Sequence, residues 1–401
     1  MDRMSQISQL AVTSPGKIVL LVMDGLGGLP HPETGKTELD TAQTPHLDKL
    51  AKEGICGMSE PLGPGLTPGS GPGHLGLFGY DPFAFVIGRG ILEALGVDFP
   101  LEKGDIAARG NFCTVDNKGV ITDRRAGRIS TEVCTKLCEE LGGINFPGVK
   151  ALIAPVEGHR FLLVLRGASL NPDLADSDPQ QVGVAPKEVA ALSREAEATA
   201  AVVNSWIGRA RGVLADHHPA NMVVLRGFAR LPHLPSMGES YKLNPVAIAT
   251  YPMYRGLARL VGMKVVDCGR SVEDQFTALA KHYAGHDFLF LHIKKTDTAG
   301  EDGDFQRKVK AIEEVDAALP RVVDLKPDVI VVTGDHSTPA VMKAHSWHPV
   351  PFLLHSPLCR PDEVAEFSER ACSKGALGRF PALDIMPLAL AHAQKLAKFG
   401  A

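Results

Sequence analysis

Three short apolar runs in this 401-residue chain stop at, or just before, a carboxylate. Lys17-Ile-Val-Leu-Leu-Val-Met23 ends at Asp24, and Asp287-Phe-Leu-Phe-Leu-His-Ile293 leads through Lys294-Lys295-Thr296 to Asp297. Asp328-Val-Ile-Val-Val-Thr333 leads through Gly334 to Asp335-His336. Each run is β-branched or aromatic-rich and short enough for a buried strand. Helical patterns alternate with such runs, which predicts an α/β protein with a mainly parallel sheet flanked by helices. Ligands of open α/β sheets bind beyond the carboxyl ends of the strands. Three acids at three such ends would therefore meet in one crevice.

One such aspartate alone has an ordinary reading, because Asp-Gly after a strand is a common turn and an Asp caps helices. The combination carries more. Asp335-His336 sets an oxygen and a nitrogen donor side by side, and His345 and His348 follow in the loop from Lys343 to Pro349. Glu301 comes four residues after Asp297, so both carboxylates face one ion if the segment turns helically. An Asp/His/Glu set without cysteine suits divalent cations of intermediate hardness: Mn²⁺, Zn²⁺, Co²⁺ or Mg²⁺. Two clusters would hold two ions, a clamp suited to phosphoryl displacement.

Much of the glycine and proline excess, 41 Gly and 29 Pro, falls in residues 61–82. That stretch reads as a loop. It lacks the Gly-Lys-Ser/Thr of a phosphate-binding P-loop and the strand-turn-helix frame of a dinucleotide fingerprint. Its Ser70, between two glycines, is either an incidental hydroxyl or a nucleophile, and a serine needs a base or a metal to activate it. Arg109 and the segment Asp123-Arg124-Arg125-Ala126-Gly127-Arg128, then His159-Arg160, Arg166 and Arg226, concentrate positive charge. They read as a solvated surface or as an anion site, arginine being the residue for bidentate capture of carboxylate and phosphate.

The remaining composition excludes more than it selects. Lys+Arg number 42 against 46 Asp+Glu, so net charge gives no global reason to expect nucleic acid or a membrane as partner. No apolar run approaches a membrane span, and residues 1–17 carry no signal-peptide core, so a cytoplasmic protein is expected. Seven irregularly spaced cysteines fit reduced thiols, with Cys134 and Cys138 one turn apart in a helix over 131–141. The length exceeds what one core usually fills. A core of 1–100 and 241–401 interrupted by an inserted domain over 101–240 is expected, with a long helix from about Pro186 to Leu214.

Taken together, Asp24, Thr-Pro-Gly-Ser70-x-x-x-His-Leu, Gly-Arg-Gly-x-Leu-Glu-Ala at 88–94 and Arg109-Gly-Asn-Phe form an ordered set. It continues through Asp-Arg-Arg-Ala-Gly-Arg128, His-Ile-Lys-x-Thr-Asp297, Gly-Asp335-His336-Ser-Thr and Asp384-Ile-Met-Pro. From about residue 17 to the C-terminus, this resembles the archaeal-type, 2,3-bisphosphoglycerate-independent phosphoglycerate mutases of the alkaline phosphatase superfamily. The resemblance implies an alkaline-phosphatase-like α/β core with a smaller inserted α+β domain. The implied enzyme is an isomerase of glycolysis and gluconeogenesis, interconverting 3- and 2-phosphoglycerate through a phosphoserine, with two divalent ions, Mn²⁺ foremost, and no bisphosphoglycerate. By the same resemblance Ser70 is the nucleophile. Asp24, Ser70, Asp335 and His336 match one metal site, and Asp297, Glu301 and His348 the other. Glu301 stands where the superfamily usually has histidine, an extra carboxylate that would favour Mn²⁺ or Mg²⁺ over Zn²⁺. Arg109, Arg124, Arg125, Arg128, His159, Arg160, Arg226 and Lys242 are the implied substrate-binding residues. A metal-dependent phosphomonoesterase or another phosphomutase of the superfamily stays open as an alternative, as does a binding protein without turnover. The sequence is silent on oligomeric state.

Overall fold

The computed structural model describes residues 3–400, so residues 1, 2 and 401 of the expected core lie outside it. The described residues divide into two compact units, one running up to Val86 and again from Leu234, the other Ile87–His233. In the first unit the strands are β1 (Ile18–Met23) and β2 (Ile55–Glu60). In the second they are β3 (Ile106–Val115), β4 (Ile121–Asp123), β5 (Val149–Glu157), β6 (Arg160–Gly167) and β7 (Met222–Ala229). The first unit resumes with β8 (Pro245–Ile248), β9 (Lys264–Val266), β10 (Phe288–Ile293), β11 (Val329–Thr333), β12 (Val350–His355) and β13 (Arg379–Pro381).

The sheet of the first unit runs β13-β2-β12-β11-β1-β10-β8-β9, and only β12 opposes its neighbours. Every residue of β1, β10 and β11 is buried, the continuous apolar pattern of parallel strands covered by helices on both faces. These three are adjacent and in step: Met23 pairs with Ile293, and Val22 with both His292 and Thr333. Their carboxyl ends are therefore flush, and the residues that follow emerge along one edge.

A short helix over Pro45–Glu53 covers this sheet, and its N-terminal amides are capped from elsewhere in the unit. Its own N-cap, Thr44, makes no side-chain cap. Asp316, on the helix Phe305–Ala318, accepts instead from Leu47 N at 2.8 Å and His46 N at 3.1 Å.

The second unit is an antiparallel sheet with β3 between β6 and β7, and with β4 and β5 at its margins. Helices Thr131–Leu141 and Glu197–Val213 bury Leu137, Leu141, Val203 and Trp206 on one face. Helix Arg89–Gly96 packs Ile91 and Ala94 against Ala107, Leu162 and Val164 of the other face. That packing draws residues 87–100 into the second unit, ahead of the boundary expected near residue 100.

The expected helix from Pro186 begins only at Glu197, after a 3₁₀ turn at Arg194–Ala196. Residues 186–193 lie off the helix because the Asn204 amide takes both backbone groups of Val189, at 2.9 Å each. Leu192, within the span expected to be helical, is 70% exposed. Among the described residues no helix is long and apolar enough to cross a membrane.

Removing a charged acceptor from a buried amide costs about 1–3 kcal/mol, and Leu47 N is such an amide. Asp316→Ala is therefore expected to lower the thermal midpoint followed by circular dichroism. An unchanged midpoint would remove the capping assignment.

Candidate active site

Ser70 does not lie in a loop. It opens the helix Ser70–Leu77, which includes Gly71, Pro72, Gly73 and Gly76. Pro72 is tolerated because amides of a first helical turn have no intrahelical partner to lose. Gly73 is required by close approach: a Cβ there would sit 2.4 Å from the carbonyl oxygen of Asp335. The glycines that made the segment look irregular are what let this helix lie against the loop after β11.

Ser70 Oγ is thereby brought 3.2 Å from His336 Nε2. Asp24 Oδ1, at the end of β1, lies 3.3 Å from the same nitrogen, and Asp335 Oδ2 lies 3.1 Å from it. Asp24, Asp335 and His336 are fully buried. The state of His336 follows from its other nitrogen. Thr338 Oγ1 is 2.7 Å from Asp297 Oδ1 and 2.9 Å from His336 Nδ1. A hydroxyl has one proton; given to the carboxylate, it leaves the oxygen to accept from Nδ1–H. Nε2 is then the nitrogen that faces Ser70 and two carboxylate oxygens; burial opposes its charge, but Asp335 and Asp24 outweigh this and raise the His336 pKa to about 9. Such an arrangement repels itself unless a proton or a cation stands among these atoms. Asp24 Oδ1 and Asp335 Oδ2 also lack any aligned hydrogen-bond donor, although ring nitrogens lie near them. The set fits a divalent ion.

The second cluster repeats the pattern. Asp297 and Glu301 lie one turn apart on the helix Lys295–Asp302, and His345 Nε2 is 3.5 Å from Asp297 Oδ1 and 3.7 Å from Glu301 Oε1. His345 Nδ1 is 3.0 Å from the Pro68 carbonyl oxygen, which only accepts. Nδ1 therefore carries the proton and Nε2 offers its lone pair to the carboxylates, the second-sphere arrangement of metal-binding histidines. Although His336 Nδ1 is 4.0 Å from Asp297 Oδ1, that nitrogen is committed to Thr338, so His336 belongs with Asp24 and Asp335. His348, expected from the sequence in this cluster, is turned away: its Nδ1 meets Ser346 Oγ at 3.1 Å and its ring stacks on Trp347. The histidine that reaches Asp297 is His345.

Lys294 Nζ joins the clusters, 3.1 Å from Asp24 Oδ2 and 2.5 Å from Asp297 Oδ2. Burial disfavours its charge, but Asp24 and Asp297 more than offset this and raise its pKa. Burial and Asp335 oppose ionisation of Asp24, and Lys294 and His292 outweigh them. His292 Nε2 is 3.2 Å from Asp24 Oδ2, with its ring stacked on Tyr254 at 3.8 Å. Behind Ser70, the His74 Nδ1 proton goes to Ser70 O at 2.9 Å, with Asp335 Oδ2 at 3.1 Å. Lys295, by contrast, is exposed and pairs with Glu314.

In the second unit, positive charge gathers on the antiparallel sheet. Arg109 and Arg226 are directly opposite on β3 and β7, and Arg160 lies opposite Asn111 on β6. Like charges so placed destabilise a sheet. Arg109 is 6% exposed, and burial, then Arg89, Arg160 and Arg226, lower its pKa to about 9 against the pull of Glu93. Burial and Arg160, Arg109 and Arg125 lower His159 to about 4. The buried Glu93 carboxylate lies 3.5 Å from Arg109 Nη1, Glu157 lies 3.8 Å from Arg160 Nη1, and Gln180 Oε1 accepts from Arg226 at 3.4 Å. Arg124 is already paired with Asp178 at 2.9 Å, and Arg125 and Arg128 stand exposed on the turn that Asp123 caps. Arg166 is taken up by Asp105. Lys242, in the first unit, ends a short helix in the left-handed conformation and donates to Glu239 O.

A family model described as 2,3-bisphosphoglycerate-independent phosphoglycerate mutase matches residues 51–221. A Thermus thermophilus protein named probable 2,3-bisphosphoglycerate-independent phosphoglycerate mutase is 49% identical over 408 residues, covering 100% of both chains. The chain belongs to this family. An Aquifex aeolicus relative of the same name is also 49% identical, over 99% of this chain and 100% of its own length. Among solved structures, a Pyrococcus horikoshii protein matches with a TM-score of 0.84 at 30% identity, covering 96% of this chain and 99% of its own. The cofactor-independent phosphoglycerate mutase of Thermoplasma acidophilum matches at 0.70 and 29%, covering 94% and 100%. The family is one of isomerases, and the chain is an enzyme of that class.

Sequence reasoning quoted His74, Arg89, His292 and Thr338 within its motifs but gave them no role, and it missed Tyr254. Helical spacing from Ser70 was a usable signal for His74.

The choice between the two loop histidines is testable by divalent-metal titration of the purified protein. His345→Ala is expected to weaken binding of one ion by at least about tenfold, while His348→Ala leaves both ions in place. The opposite result would return the position to His348.

Proposed function

We propose that this enzyme interconverts 3-phosphoglycerate and 2-phosphoglycerate without bisphosphoglycerate, through a phosphoserine at Ser70, in glycolysis and gluconeogenesis in the cytoplasm. The observation that carries the reading is the pair of histidines whose Nδ1 protons are committed to Thr338 and Pro68. Their Nε2 atoms are left facing carboxylates, one of them beside Ser70 Oγ. Asp24, Asp335, His336 and Ser70 would hold one divalent ion, and Asp297, Glu301 and His345 the other. When bound, such ions, Mn²⁺ foremost, lower the pKa of a bound hydroxyl and neutralise charge on transferring phosphoryl oxygens.

The chain's own groups supply the rest. Ser70 Oγ forms its bond to phosphorus as the bond from phosphorus to the substrate oxygen breaks, and the released alkoxide takes up a proton equivalent to the one Ser70 gives up. The transfer then runs back to the other hydroxyl of glycerate. Ser70 sits in the first turn of its helix, where the backbone dipole favours a phosphate. Lys294 adds a fixed positive charge between Asp24 and Asp297. Retaining glycerate until the group returns separates a mutase from a phosphatase, and this needs a carboxylate-binding element. Arg109, Arg160, Arg226 and His159 fit that role, with Arg89 beside them; Arg125 and Arg128 are free to join. Arg124 reaches such an anion only by giving up Asp178.

In an enolase-coupled assay with 3-phosphoglycerate, Mn²⁺ and no bisphosphoglycerate, the parent is expected to turn over. Ser70→Ala should lose roughly a thousandfold or more in kcat. Stoichiometric release of inorganic phosphate in place of 2-phosphoglycerate would shift the reading to a phosphomonoesterase. Dialysis against a chelator is expected to abolish turnover and added Mn²⁺ to restore it; turnover that survives chelation would remove the two-ion reading.

A further inference from the structure

Lys308 is a fully buried lysine that touches neither Ser70 nor any of the carboxylates or ring nitrogens of the two clusters. It projects from the helix Phe305–Ala318, and its ammonium donates to Gly27 O at 3.0 Å and to Thr338 O at 2.9 Å. Those carbonyls belong to the two segments that matter most. Gly27 lies three residues after Asp24. Thr338 holds His336 Nδ1 and Asp297 Oδ1 through its hydroxyl. Thr338 N also donates to Gly27 O at 3.0 Å, so Lys308 closes a small ring between the segments.

Glu38 Oε1, 3.8 Å from the ammonium, accepts from Ala340 N at 2.7 Å and anchors the far side of the second segment. A buried ion pair is seldom retained for stability alone, since apolar replacement is often neutral or better. We propose that Lys308 is a positioning residue for the metal clusters: its ammonium sets the spacing between the Asp24 segment and the His336–Thr338 segment. Through Thr338 it also fixes the facing of His336 and Asp297. The inference rests on the two-ion reading above.

The test compares Lys308→Met with Glu38→Gln/Lys308→Met, which removes the charge of the nearest carboxylate together with the ammonium. Mn²⁺ affinity is measured calorimetrically on the full chain, alongside thermal unfolding and the enolase-coupled assay. In variants that fold, Mn²⁺ affinity is expected to fall about 10–100-fold, the usual effect of disturbing groups that orient metal ligands. The deficit should persist in the double variant even where its midpoint returns to the parent's. Lower kcat with little change in KM should accompany it. Parental Mn²⁺ affinity in a folded variant would overturn the proposal. So would failure of both variants to fold with or without Mn²⁺, since Lys308 would then serve the fold alone. If the parent itself binds no Mn²⁺, it is the two-ion reading that falls.

Discussion

The first unit is organised around the cost of placing three carboxylates out of water at one edge of a sheet. Asp24, Asp297 and Asp335 are each fully buried, and an isolated buried carboxylate would neutralise itself rather than stay charged. The chain supplies donors to them at fixed positions. Lys294 bridges Asp24 and Asp297, His292 backs Asp24, and Gly25 N donates to Asp335 at 3.1 Å. What these donors leave uncompensated faces one place, beside a serine. The parallel sheet is a means to that end, since flush β1, β10 and β11 are what bring Asp24, Asp297 and Asp335, far apart in sequence, to one edge.

The second unit solves a related problem with the opposite sign. Arg109 and Arg226 face each other across paired strands, and Glu93 is the buried carboxylate that contacts Arg109. In one unit buried acids gather at a sheet edge; in the other, arginines gather on paired strands.

Much of the first cluster was legible in the sequence because strand ends are marked by local signals: apolar runs that stop at Asp24, near Asp297 and at Asp335. Pairing of Asp297 with Glu301 was legible for the same reason, a helical spacing of four. What was not legible depended on distance in space. His345 and His348 offer the same chemistry three residues apart, and it is contacts remote in sequence, with the Pro68 carbonyl and the His336 ring, that hold His345 at the cluster. The helix at Ser70 was hidden because its glycines and Pro72 argue locally for a loop, while the requirement they satisfy lies in the segment after β11. Likewise Asn204 displaced the start of a helix expected at Pro186 by binding the backbone of Val189. In each case long-range contact overrode a sound local preference.

The fit of Gly73 against the carbonyl of Asp335 has a further consequence. A nucleophile is ordinarily located by side chains, which give way by fractions of an ångström when their neighbours change. Here main chain rests on main chain, with no room for even a methyl group between. The spacing between the Ser70 helix and the loop after β11 is thus set by a main-chain contact, and any larger residue at position 73 forces that backbone apart.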